Sequence, residues 1–147
     1  MICIELNDFI EAIAGKLRTL WPERKVYDDK IPAEANGSFF VGLIDVEQHK
    51  RLDRRRLRSM QFEVLYFLCP GDMLTFHAWA ESMLDHFEYL SVSCEGDVRL
   101  IRTQNMQASV NSDVHAYQVV FDVDLDFVIA PPQGPAMEHV DHTEVLK

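Results

Sequence analysis

The chain has 147 residues, of which 48% are hydrophobic and 26% charged, and its formal net charge is −10 at pH 7. This length predicts one domain with a single core, and the composition excludes a wholly disordered chain. No apolar run approaches the roughly 18 residues that cross a membrane. The start of the chain, MICIELNDFIEA, lacks the basic region of a secretory signal. We therefore expect a soluble protein that is made in a cytosol and binds no membrane.

The first predicted element is an amphipathic helix over residues 6–21. Its apolar residues recur at steps of three and four: Leu6, Phe9, Ile10, Ile13, Leu17 and Leu20. Asn7 or Asp8 is the candidate N-cap. Pro22 ends the helix, because the residue before a proline is disfavoured in the α conformation. A short extended piece, residues 25–28, follows.

Two long strands are predicted on either side of a basic segment. Residues 39–48, FFVGLIDVEQ, are aromatic and β-branched, which favours a strand buried on both faces where it begins. Residues 58–68 alternate between apolar and polar side chains, as in a half-buried strand. Residues 50–58, KRLDRRRLR, hold six of the fourteen lysines and arginines and are called the basic block below. Together the three segments predict a long β-hairpin with the basic block at its tip or on a protruding arm.

The second half of the chain predicts another helix and further extended segments. Asp72 is a good N-cap for an amphipathic helix over residues 73–88. Extended segments are expected around residues 98–103 and over residues 114–129. In the last segment, three acidic residues alternate with apolar ones and therefore share one face. These residues, the aspartate stripe, are Asp122, Asp124 and Asp126.

This order of elements predicts an α+β domain over residues 1–130. We expect a mostly antiparallel sheet with both helices packed on one side of it. Residues 131–147 begin with PPQGP and continue with polar residues. We expect them to form a flexible tail that contributes nothing to the core.

The charge is unevenly distributed along the chain. The basic block carries +5 (six basic residues and Asp53), and the other 138 residues carry −15 (eight basic and 23 acidic). Such a protein attracts its own copies where the block of one meets an acidic face of the next. The predicted contact residues are Lys50, Arg51, Arg54, Arg55, Arg56 and Arg58. The alternatives are a solvated loop without a function and a phosphate-binding segment, although duplex binders more often carry such a block in a basic domain.

The aspartate stripe has three interpretations. It is a solvated sheet face, a partner for the arginines of a neighbouring copy, or the polar wall of a channel. Residues two apart on a strand stand about 7 Å from one another, so a single metal ion cannot easily bridge all three carboxylates.

No catalytic residue, metal site or cofactor is predicted, and we do not expect an enzyme. The sequence contains no GxSxG motif and no P-loop. His139 and His142 have a metal-like spacing but no fixed third ligand. Cys3, Cys69 and Cys94 lack a CxxC spacing and are expected to be small buried hydrophobic residues.

A succession of motifs through the middle of the chain is typical of one protein family. SFFVGLID is followed by the basic QHKRLDRRRLRS, the alternating MQFEVLYF, a helix and the Asp- and Phe-rich FDVDLDFVI. Together they resemble the tail terminator proteins of phages and phage-derived contractile particles. The resemblance covers residues 4–129 in element order and is most specific over residues 39–67, with the transition from Arg54 to Phe62. RTQNM at residues 102–106 is similar to the family's segment ahead of its last hairpin.

This resemblance implies a structural protein that forms a ring, usually of six copies. Such a ring caps the tail tube, ends its polymerisation and offers a surface for the neck or head. Its partners would be other copies of the chain, the tail tube protein, the sheath protein of a contractile tail, and neck or head-completion proteins, with DNA only as passing cargo. It would act in the virion tail or a phage-derived tail particle, after assembly in the host cytoplasm. The alternatives are a head–tail connector, which shares the small α+β plan, and a nucleic-acid-binding protein that uses the basic block.

Overall fold

A computed structural model describes residues 4–31, 36–68, 72–113 and 115–129. Within these ranges the chain forms two helices and one six-stranded sheet. The elements are α1 Leu6–Leu20, β1 Val26–Tyr27, β2 Phe39–Lys50, β3 Arg55–Phe67, α2 Met73–His86, β4 Tyr89–Cys94, β5 Asp97–Asn111 and β6 Ala116–Val128. The strand order is β1-β2-β3-β6-β5-β4, and only the β1–β2 pair is parallel. The α+β prediction is confirmed, whereas the expected flexible tail lies outside the described residues.

Polar side chains at the helix starts explain where both helices begin. The N-cap of α1 is Glu5, and its backbone N–H donates to the Asp8 carboxylate at 2.7 Å. Asp8, one of the two predicted residues, therefore caps the helix start through its side chain, although the N-cap position itself is Glu5 and not Asn7 or Asp8. Asp72 is the N-cap of α2, as predicted, and its carboxylate accepts from the Thr75 N–H at 2.8 Å and the Thr75 hydroxyl at 2.9 Å.

Both helices pack on one face of the sheet, where the core lies. The alternating apolar residues of β3 and β6 form its floor, and Phe9 of α1 and Trp79 of α2 cover it. At its centre, the fully buried Phe62 ring lies 5.8 Å from the Phe9 ring and 6.2 Å from the Phe121 ring. Burying each such ring stabilises the fold by about 1.5–3 kcal/mol. The predicted arrangement of both helices on one side is confirmed.

The opposite face of the sheet, called the outer face below, carries a smaller apolar cluster. Leu65, Phe67 and Ala116 are buried there, and Phe40 packs against them. Phe39, the residue before Phe40, is fully buried under the helices. The start of β2 is therefore covered on both faces, as its unbroken apolar sequence predicted.

One strand of the sheet was not predicted from the sequence, and another is longer than predicted. β4 was not predicted, and β5 is much longer than the segment expected around residues 98–103. In β5 the pairing with β6 shifts between Gln104 and Gln107, and Asn105 has a φ of 54°. A β-bulge of this kind breaks the two-residue period from which strands are recognised. Cys94 is half-buried and disulfide-bonded, which corrects its expected role as an isolated hydrophobic residue.

Candidate subunit-contact surfaces

The basic block lies at one end of the sheet, around the turn between β2 and β3. The turn is closed by the Arg51 N–H, which donates to the Arg55 carbonyl at 2.9 Å, and by the Arg55 N–H, which donates to the Leu52 carbonyl at 3.1 Å. Pairing of β2 with β3 extends to Lys50 opposite Arg56, and pairing of β3 with β6 extends to Arg55 opposite Val128. This end of the sheet is therefore three strands wide.

Some arginines of the block are held by their own subunit. The Arg58 guanidinium donates to Gln48 Oε1 at 3.0 and 2.7 Å and lies 4.9 Å from the centre of the Phe127 ring. Arg56 donates to the Arg55 carbonyl at 2.9 Å. Both side chains belong to the helix-facing side of β3 by strand alternation. Arg56 and Arg58 therefore have local partners and are less available to another molecule.

The remaining residues of the turn form a surface that we call the basic tip: Lys50, Arg51, Leu52 and Arg55. All four are exposed, and Leu52 is 86% exposed. Within the described part of the chain, the three cationic side chains make no hydrogen bond and no ion pair. The half-buried Arg54 also lacks a side-chain partner there, although its backbone carbonyl accepts from Ile129. The basic tip thus combines free positive charge with an exposed apolar side chain.

The aspartate stripe lies on the outer face of β6, as the alternation predicted. Across β3 lie two further carboxylates, which were not predicted from the sequence. Asp122 pairs with Gln61, which pairs on its other side with Asp45, and Asp124 reaches Glu47 through Ser59 in the same way. The set of five is called the acidic face below: Asp45, Glu47, Asp122, Asp124 and Asp126. All its members except Asp126 line a groove of about 360 Å³ with Ser59, Gln61, Gln104 and Asn105.

Little positive charge neutralises the acidic face inside the subunit. Asp122 accepts a hydrogen bond from the neutral Asn105 side chain at 3.0 Å. Across the described ranges, the ion pairs within 4.0 Å are Arg24–Glu23 and His49–Glu47, and neither involves the basic tip. Asp126 lines a second cavity with Arg51 and Arg55 but forms no ion pair with either. Apart from Glu47, whose carboxylate lies 3.2 Å from His49 Nε2, the charged side chains of the two surfaces therefore form no ion pair within the described part of the subunit.

Neither a metal-binding cluster nor a membrane-spanning helix is found among the described residues. No group of three or more His, Cys, Asp or Glu side chains among them could hold a metal ion. His139 and His142 lie outside the described ranges. No helix in the described part is long and apolar enough to cross a membrane.

The fold and its surfaces define an α+β module with segregated charge. The chain belongs to the phage tail terminator protein family, whose sequence profile matches residues 8–135. No curated protein matched the chain. The resemblance found in the sequence is thereby confirmed, and the protein is a structural component of a phage tail, located in the tail of the virion.

Proposed function

We propose that this protein forms a closed ring that caps the tail tube, ends its polymerisation and offers a surface to the neck or head. Each subunit would insert its basic tip against the acidic face of the next. The observation that carries this proposal is the coexistence, on one subunit of a tail terminator protein, of a basic tip and an acidic face that form no ion pair with each other. The protein would assemble in the host cytoplasm and would act through contacts, without a catalytic residue.

The placement of the two surfaces is compatible with a head-to-tail ring. The basic tip lies at the end of the sheet, whereas the acidic face lies along its outer side. When the tip of one subunit binds a second subunit and its acidic face binds a third, the contact is head-to-tail, and it closes into a ring when the rotation between neighbours allows. We expect six copies, the number that the resemblance to tail terminator proteins implies.

Leu52 would add an apolar anchor to this contact. Leu52 is the apolar member of the basic tip, and contact sites commonly bury such a side chain within a polar rim. The charged pairs around it would set orientation and register, because exposed ion pairs contribute more to specificity than to affinity.

The proposal is tested by reversing the charge of the basic tip. We expect the triple variant Lys50→Glu, Arg51→Glu, Arg55→Glu to fold normally and to lose ring assembly. The matched control reverses three exposed cations elsewhere, Lys25, Lys30 and Arg99, with the same change in net charge. Light scattering after size exclusion should give a small multiple of 17.0 kDa for the wild type and the control, and 17.0 kDa for the tip variant. Rings formed by the tip variant would remove the basic tip from the contact.

A second experiment separates a terminator from a connector. Particles made without this protein should contain overlong tail tubes if it ends polymerisation. Tubes of normal length that fail to join heads would instead support the connector alternative. Electron micrographs of the two particle populations measure the difference directly.

The acidic face has a competing role as the wall of a DNA channel. Like charge on the wall would keep phosphate from adhering. Replacing Asp122, Asp124 and Asp126 by asparagine distinguishes the two roles. A contact role predicts failed rings, and a channel role predicts intact rings with impaired DNA delivery. Normal rings with normal DNA delivery would show that the aspartate stripe is a solvated surface with neither role.

A further inference from the structure

The last described residue leaves the fold directly beside the basic tip. The Ile129 N–H donates to the Arg54 carbonyl at 2.9 Å, and Val128 pairs with Arg55. The sequence continues as APPQGPAMEHVDHTEVLK over residues 130–147. This stretch, called segment 130–147 below, has three carboxylates and one lysine. The carboxylates belong to Glu138, Asp141 and Glu144.

We propose that the basic tip is a docking surface for segment 130–147 of its own chain. The segment would lie with its carboxylates against the free cations and compete there with the acidic face of a neighbouring copy. The docking itself stands on the charges and connectivity of one subunit. Only the competition rests on the ring contact proposed above.

The segment is long enough to reach every cation of the basic tip. Eight residues separate position 130 from Glu138, and a fully extended chain of that length spans at most about 29 Å. The cations lie within a few residues of Arg54, which corresponds to about 10 Å along a strand. In a polyproline II conformation, which has three residues per turn and a rise of about 3.1 Å, carboxylates three positions apart would share one side of the chain and stand about 9 Å apart, comparable with the spread of the cations.

Tethering makes this segment a stronger competitor than its three charges alone would suggest. A group held near its site by a short linker experiences an effective concentration in the millimolar range. The acidic face of the same subunit does not serve this role, because even its nearest member, Asp126, forms no ion pair with the basic tip. In a free subunit, segment 130–147 would therefore cover the basic tip. The acidic face of a neighbouring subunit would displace it once its local concentration is comparable.

The test neutralises the segment while preserving its length. The tail variant carries Glu138→Gln, Asp141→Asn and Glu144→Gln. The control carries Glu81→Gln, Asp85→Asn and Glu88→Gln, three exposed positions on or just after α2 with the same change in net charge. The probe is immobilised heparin at pH 7.5, where a polyanion reports how accessible the cations are. The monomer fraction is also treated with a carbodiimide, which joins lysine to carboxylates that it touches.

We expect the tail variant to elute from heparin at distinctly higher salt than the control, because its cations are uncovered. In the wild-type monomer, Lys50 should form intramolecular cross-links to residues of segment 130–147, read by mass spectrometry. Equal elution of the tail variant and the control would overturn the proposal, as would a monomer without cross-links from Lys50 to this segment.

Ring assembly gives a separate readout. With docking and the ring contact both correct, the tail variant should assemble at about threefold to tenfold lower protein concentration than the control. If the tip variant still forms rings, the proposed ring contact fails, and the heparin and cross-linking results on the monomer still decide the docking.

Discussion

Mixing two charge-reversed variants should rebuild a ring that neither variant forms alone. The acidic-tip variant carries Lys50→Glu, Arg51→Glu and Arg55→Glu. The basic-face variant carries Glu47→Lys, Asp124→Lys and Asp126→Lys, all at exposed strand positions. In a mixture, the acidic tip of one subunit meets the basic face of the other, and the unchanged tip of the second meets the unchanged face of the first. The two variants would therefore alternate around the ring.

The size of the effect follows from the number of free charges. Three exposed pairs at about 0.2–1 kcal/mol each contribute about 0.6–3 kcal/mol to one contact. Reversal replaces this attraction by a repulsion of similar size, so each contact changes by about 1–6 kcal/mol. At about 1.4 kcal/mol per tenfold change in affinity, even the lower limit weakens a contact about fivefold. Because a closed ring repeats the contact between every pair of neighbours, the loss of assembly is much steeper than this single factor.

The assay is light scattering after size exclusion on each variant and on the equimolar mixture, at low and high salt. A six-membered ring of 17.0 kDa subunits would have a mass of about 102 kDa, and native mass spectrometry should find equal numbers of the two variants in it. Recovery should weaken in high salt, since exposed charges are screened. A mixture of folded variants that stays at subunit mass, under conditions in which the wild type forms rings, would refute the pairing of tip and face.

Two further predictions concern the stability of the subunit. Thr103→Val should lower the free energy of unfolding by about 1–3 kcal/mol, because the buried hydroxyl donates to the Phe87 carbonyl at 2.6 Å and to that of Glu88 at 3.1 Å. Thr103→Ser, which keeps the hydroxyl, should lose clearly less in urea titrations; equal losses would show that this hydrogen bond is not the cause. Hydrogen bonds from the Thr75 N–H and hydroxyl lower the pKa of Asp72 below the ordinary aspartate value of 3.8. The stabilisation by this cap is therefore present above pH 3.8 and lost as the pH falls through the lower folded-state pKa, so acid unfolding of wild type and Asp72→Ala should converge there; a stability difference that stays constant with pH would contradict this assignment.

The parts of the fold that the sequence predicted are those in which local pattern and tertiary burial agree. β6 alternates without a break from Tyr117 to Phe127, and it lies where the alternation placed it. β5 was recognised only in part. Odd-numbered residues face the core before the bulge at Asn105 and even-numbered residues face it afterwards. β4 presents only two fully buried side chains, Leu90 and Val92, too few for a clear two-residue period.

Only those parts of the candidate site whose residues are close together in sequence could be predicted. The basic block and the aspartate stripe are contiguous or regularly spaced in sequence, so both could be found. Asp45 and Glu47 join the stripe through the register of β2 on β3 and of β3 on β6. The register also shifts between Leu43 and Asp45, which decides the face on which these acids lie. Such long-range pairing leaves no signal in the spacing of residues along the chain. The local partners of Arg56 and Arg58 were likewise invisible before the fold was known.

The width of the sheet beneath the basic tip has a geometric consequence. The turn is braced by β2 on one side and by β6 on the other, with the Ile129 N–H bonded to the Arg54 carbonyl. When the tip binds a neighbouring subunit, only its side chains would lose conformational freedom, because the turn is already folded. The entropic cost would be about 0.5–1.5 kcal/mol for each side chain. A stiff tip joined to the acidic face by one continuous sheet also fixes the angle between the two contacts. In a head-to-tail ring that angle determines how many subunits close the circle. The twist of the sheet, more than any side chain at the contact, would then set the diameter of the ring.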